Sequence, residues 1–150
     1  MSTHGGYDRL DAEAEVGIQA WGPTVAEAFR QTVLGVFALI AEPDAVEERE
    51  VREVRAHGAS LEALLGNWIN ECLYVHDVEG FVARDLAFAA FQDEPLSGGE
   101  PLRLHSALRG EEVDPGRHGA GATPVKSAVA HRTEVSRTET GWRTRVVLEV

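Results

Sequence analysis

The chain has 150 residues, 43% apolar and 26% charged, the size and make-up of one ordinary folded domain rather than a disordered or fibrous chain. Its 25 acids against 14 bases leave a net charge of −11, a surface that repels phosphate, attracts divalent cations and basic proteins, and argues against a direct grip on nucleic acid. One cysteine, Cys72, excludes an internal disulfide and a multi-cysteine zinc site.

In chain order, Asp8 to Asp11 reads as a lead-in and Val16 to Trp21 as a strand, with Val16, Ile18 and Ala20 on one face. Gly22-Pro23 ends it. Thr24-Val25-Ala26-Glu27 forms a capping box, and the helix behind it carries Val25, Phe29, Val33, Val36, Phe37 and Ile40 on one stripe, with Pro43 after its end. A loosely alternating, charged strand is expected over Val46 to Val54, then a turn at His57-Gly58. Ser60 is positioned to cap a second helix from Leu61 to about Val75, where Leu61, Leu64, Leu65, Trp68, Ile69, Cys72 and Leu73 keep helical spacing.

The second half is rich in strand signals. Phe81 to Phe91 reads as one long strand or a bent pair, and Pro101 to Arg109 alternates, with Leu102, Leu104 and Leu108 on one face. Gly110 to Thr123, GEEVDPGRHGAGAT, reads as a loop. Val125 to Val135 and Trp142 to Val150 close the chain as a pair across a turn near Glu139 to Gly141. The pattern predicts a single α+β domain over residues 1–150, with two amphipathic helices packed on one face of a largely antiparallel sheet. No apolar run reaches the length of a membrane span and MSTHGGYDR lacks a signal-peptide core, so a cytoplasmic protein without a membrane partner is expected.

The acids at the two ends carry the most specific chemistry. Glu15 opens the first strong strand and Glu149 lies next to the end of the last. If those strands adjoin, the carboxylates repel unless a cation lies between them, and a hard divalent ion with oxygen ligands, Mg²⁺ or Ca²⁺, resolves the repulsion. The same residues also fit solvated edge charges that discourage aggregation. Six histidines are scattered without an HExxH pair; His118 and Lys126 flank the glycine-rich stretch, where an imidazole and a cation could meet the acids. There is no GxSxG, and GRHGAGAT lacks a phosphate-cradling GKS or GKT ending, so nucleophilic catalysis and nucleotide binding have no foothold. Trp68, Trp142 and Cys72 read as core.

Three blocks, in order and at matching separations, then resemble one family: YDRLDAEAEVGIQAWGPTVAEAF, SLEALLGNWINECLYVHDVEGF, and GEEVDPGRH with PVKSAVAH and GWRTRVVLEV. Together they make the chain, from Tyr7 to Val150, similar to archease, the small acidic activator of RtcB-type RNA ligase. The resemblance implies an archease-like sandwich and an accessory protein, not an enzyme, that promotes guanylylation and multiple turnover of the ligase in tRNA splicing and RNA repair. Nucleic acid would be met only through that ligase. It also implies a divalent-ion site, Ca²⁺ or Mg²⁺, at Glu15, Glu149 and the carbonyl of Val150, with Lys126, His118 and Asp11 at the tip that faces the ligase active site. Two departures stand out. The family's His-Thr-Ala-Asp is Ala12-Glu13-Ala14-Glu15 here, and its terminal aspartate is Glu149, so each acid reaches about 1.5 Å further. These changes leave open a divergent member acting as a chaperone-like interaction module, and, with less support, a stand-alone metal-dependent hydrolase. The oligomeric state is left open.

Overall fold

The computed structural model describes residues 4–12, 15–94, 98–118, 125, 127–128 and 132–149. Its elements in order are β1 (Gly6–Ala12), β2 (Glu15–Gly22), α1 (Val25–Ile40), a 3₁₀ turn at Pro43–Ala45, β3 (Glu50–Gly58), α2 (Leu61–Glu79), β4 (Phe81–Gln92), β5 (Leu102–Glu112), the single turn α3 (Pro115–His118), β6 (Ser127–Ala128), β7 (Glu134–Thr138) and β8 (Gly141–Glu149). The α+β class and antiparallel pairing match the sequence reading. The strands fall into two sheets: one ordered β1-β2-β8-β6 with β7 also on β8, and one ordered β3-β5-β4.

The helices form where the sequence supplies caps and stripes. Thr24 Oγ1 accepts from the Glu27 amide at 3.1 Å and starts α1. The Glu27 carboxylate does not complete the box; it accepts from Arg30 Nη1 (2.9 Å) and Gln31 Nε2 (2.7 Å). Ser60 Oγ starts α2 in the same way, accepting from the Ala63 amide at 3.1 Å. This helix runs to Glu79, one turn past the expected Val75, and stops at Gly80, whose φ of 66° lies in the left-handed region that favours glycine.

Both apolar stripes face inward. Phe29, Val33, Leu64, Leu65, Trp68 and Ile69 are fully buried, each such side chain contributing about 1.5–3 kcal/mol relative to exposure. Phe29 stacks on Trp68 with centroids 6.2 Å apart. The indole Nε1 donates to Ser106 Oγ (2.9 Å), which donates to the Val54 carbonyl (2.9 Å), so the buried Trp68 and Ser106 side chains both have their polar atoms paired.

Helix α1 holds both sheets. Thr32 Oγ1 meets Thr144 Oγ1 of β8 at 2.6 Å, while Arg30 donates to the Leu86 carbonyl (3.1 Å) and to Asp85 (2.5 Å) of β4. Burial of Arg30 opposes its charge, yet the Asp85 and Glu27 carboxylates outweigh that and raise its pKa.

Several boundaries differ from the sequence reading for identifiable reasons. The supposed lead-in is strand β1, paired along its whole length with β2 from Gly6↔Trp21 to Ala12↔Glu15. The third strand starts at Glu50 because Pro43–Ala45 makes a 3₁₀ turn, and it runs through His57-Gly58 rather than turning there. Gly58 is needed at that point since a Cβ there would lie 2.5 Å from the Leu64 amide nitrogen. Strand β4 is one element bent by irregularities at Ala83/Asp85 and Phe88/Ala90. Gly110 to Glu112 continue β5, and Pro115–His118 make a helical turn, so the supposed loop begins later than expected.

Candidate functional site

Strands β2 and β8 pair side by side over Glu15↔Glu149 to Gly22↔Trp142. Glu15 and Glu149 are therefore direct cross-strand partners, and partners in an antiparallel pair project to the same face. Two like charges so placed destabilise the pair unless a positive group joins them. Arg132 supplies one, its Nη1 ion-paired with Glu15 Oε1, and both side chains are a little under half exposed (44% and 42%). Glu149 is exposed, and Ser127 of β6 flanks it on the other side.

Beside this pair lies a cleft of about 490 Å³ lined by Leu10, Asp11, Glu15, Arg132, Arg145 and Val147, among others. Asp11 thus shares a surface with Glu15, although its carboxylate accepts from Arg9 Nε at 2.8 Å. Lys126 and Val150, also drawn from the resemblance, lie outside the described residues. Arg132 and Arg145 were not foreseen at this site. An isolated arginine in HRTEV carries no signal of a partner 117 positions away in the chain.

His118 lies in a different setting. It is 4% exposed; Nδ1 accepts from the Asp114 amide (2.8 Å), and Nε2 donates to the Ala45 carbonyl (3.0 Å). That pattern assigns the proton to Nε2. Glu111, also buried, receives Arg117 Nη2 (2.5 Å) and the Glu47 amide (2.5 Å), with His118 Nε2 3.4 Å from its second oxygen. The Arg117 hydrogen bond in particular holds the Glu111 carboxyl below its usual pKa, against the burial that would raise it. Both ring nitrogens of His118 are thereby engaged in joining α3, β5 and the 3₁₀ turn, and none of its hydrogen bonds reaches Glu15, Glu149 or Asp11.

The donor chemistry at the strand ends suits a hard cation: two accessible carboxylates on one face, and among the described residues lining the cleft no sulfur or imidazole to favour a softer metal. Among the described residues no three His, Cys, Asp or Glu gather to hold an ion by themselves, so further oxygens must come from carbonyl groups or water. An ion there would also have to displace Arg132 from Glu15. Cys72 is buried, and burial foremost pushes its thiol far up, which removes it as a nucleophile. No helix among the described residues is long and apolar enough to cross a membrane.

Comparison with known proteins gives this geometry a context. The archease protein family (MTH1598/TM1083) matches residues 7–150. The chain is 30% identical to the archease of Pyrococcus abyssi over 145 residues, 96% of this chain and 98% of that one. It is likewise 30% identical to the archease of Methanosarcina barkeri over 151 residues, covering all of both. The solution structure of Methanobacterium thermoautotrophicum protein 1598 superposes with a TM-score of 0.78 at 26% identity, over 97% of this chain and 99% of that one. A crystal structure from Thermotoga maritima, described as an archease and possible chaperone, shares the fold at a TM-score of 0.56 and 12% identity, over 95% and 96% of the two chains. With the family's match running through β1, both helices and β8, the chain belongs to the archease family.

Proposed function

We propose that this chain is a cytoplasmic accessory protein that activates an RtcB-type RNA ligase in tRNA splicing and RNA repair, acting through a divalent-cation site at the joined strand ends and not as an enzyme itself. Family membership supports the class of function. The observation that carries the site is the direct pairing of Glu15 with Glu149, since two carboxylates on one face call for a cation and leave it open to a partner. Glu15, Glu149 and the carbonyl of Val150 would hold a Ca²⁺ or Mg²⁺ ion, which supplies positive charge at the rim of the molecule. Asp11 on the shared cleft and Lys126 would complete the charged tip presented to the ligase, where nucleotide and metal must be positioned for attack. His118, held in its buried network, would contribute by fixing the turn that carries it. The RNA is met through the ligase.

The test is multiple-turnover ligation by an RtcB-type ligase from the same source, with and without the chain. Stimulation that disappears with Glu15→Ala or Glu149→Ala is the expected result. Equal turnover with and without stoichiometric protein defeats the proposal.

A second reading rests on the Arg132–Glu15 ion pair. If the guanidinium has taken over the cation's place, the chain is a metal-free member acting as a chaperone-like interaction module. Calorimetric titration with Ca²⁺ and Mg²⁺ separates the two: heat that Glu15→Ala removes supports the ion site, and no heat supports the guanidinium.

A further inference from the structure

Strand β3 is the outer strand of the three-stranded sheet and, among the described residues, is hydrogen-bonded to β5 on one side only. In an antiparallel pair alternate residues turn their N–H and C=O toward the neighbour, and those between turn them away. Asn67 Nδ2 donates to the His57 carbonyl (2.8 Å) and Arg52 Nη1 to the Val51 carbonyl (3.2 Å), which identifies Val51, Glu53, Arg55 and His57 as the outward row. Side chains thus occupy the carbonyls at the two ends of the row. The backbone groups of Glu53 and Arg55 between them face away from the sheet, as a template for another strand.

The surroundings of this edge are apolar in an unusual way. The large apolar side chains exposed among the described residues are Val51 (54%), Tyr74 (63%) and Val78 (61%). Asn67, Glu71, Tyr74 and Val78 follow one another on a single stripe of α2 at helical spacing. This helix runs antiparallel to β3, for Asn67 meets His57 at one end and Glu79 meets Arg52 (2.7 Å) at the other. Tyr74 and Val78 therefore lie along the stretch of edge that holds Glu53 and Val51. A hollow of about 320 Å³ lined by Arg55, His57, Asn67 and Glu71 continues the same trough. A strand laid on β3 would rest one face on Tyr74 and Val78 and extend the Val51 row with the other.

The charges along the row choose the occupant. An antiparallel second copy related by a two-fold axis through Val54 sets Glu53 opposite Arg55 twice and Val51 opposite His57 twice. Two-fold axes through Glu53 or Arg55 would instead set like charges face to face. Arg55 is exposed and has no ion-pair partner among the described residues, whereas Glu53 is 65% exposed and paired with His105 at 2.8 Å. We propose that β3 pairs with β3 of a second copy of this chain about Val54, joining two three-stranded sheets into one continuous sheet. The two Glu53–Arg55 pairs fix the register, and Tyr74 and Val78 from each copy cover the seam.

Sedimentation velocity of the full chain over a concentration series tests this, using wild type, Glu53→Arg, Arg55→Glu and the double exchange. The expected result is a concentration-dependent dimer, weakened about tenfold or more by either single exchange and restored by the double. Hydrogen exchange supplies a readout that needs no variant: the Glu53 and Arg55 amides gain protection as concentration rises. A wild-type chain that stays monomeric while both amides exchange fast at every concentration overturns the proposal. So do single exchanges that dimerise as wild type does.

Discussion

Two acidic strand ends of this molecule are built in opposite ways. At the end of β5, Glu111 is buried, with its oxygens bound by Arg117 and the Glu47 amide and His118 beside it. At the junction of β2 and β8, Glu15 and Glu149 stand side by side near the surface, and the cation that meets Glu15 is a half-exposed arginine. The first carboxylate is committed to holding the fold, since breaking a buried ion pair leaves an uncompensated charge. The second can exchange its partner at little cost, because exposed ion pairs contribute only about 0–1 kcal/mol. Acid content alone does not distinguish them; accessibility does.

Breaking the buried network should give the largest effect on folding. His118→Ala strands the Asp114 amide and the Ala45 carbonyl, and a loss of about 1–3 kcal/mol is expected in urea unfolding. Next, Glu111→Gln should lower stability at neutral pH and flatten its loss in acid. The folded Glu111 pKa lies below the unfolded value, so its contribution is complete above that value, about 4.3, and fades as pH falls toward the folded one. Unfolding curves taken through that range check this, and an unchanged acid slope in the variant refutes it.

At the accessible junction the expectations reverse. Arg132→Ala frees the Glu15 carboxylate and should raise Ca²⁺ or Mg²⁺ affinity several-fold by calorimetry while leaving the melting temperature nearly unchanged. Glu15→Ala should move stability by no more than about 0.5 kcal/mol, because removing one of two facing like charges offsets the lost ion pair. A large destabilisation by Glu15→Ala would place this end in the same class as Glu111 and erase the contrast.

The helices were legible in the sequence because each carries its own periodic stripe and its own cap, all local information. The partition of strands into two sheets was not, since alternation reports which face of a strand is buried and says nothing of its neighbours. Strand β1 was missed because Asp8, Arg9 and Asp11 give it the look of a solvated segment, whereas it needs only the edge of β2 to pair with. The cross-strand meeting of Glu15 and Glu149 was anticipated from their places on strands near the two ends of the chain. Arg132 was missed for want of any local mark. His118 read as a loop histidine available to a partner, and its burial depends on Ala45, 73 positions earlier in the chain, which no pattern around the histidine could announce.

Arg30 and Thr32 stand two positions apart on α1, yet one grips β4 and the other β8. That places a single helix as the pin through which each layer feels the other's displacement. Displacement of one layer is thus coupled to the other through two side chains less than one helical turn apart.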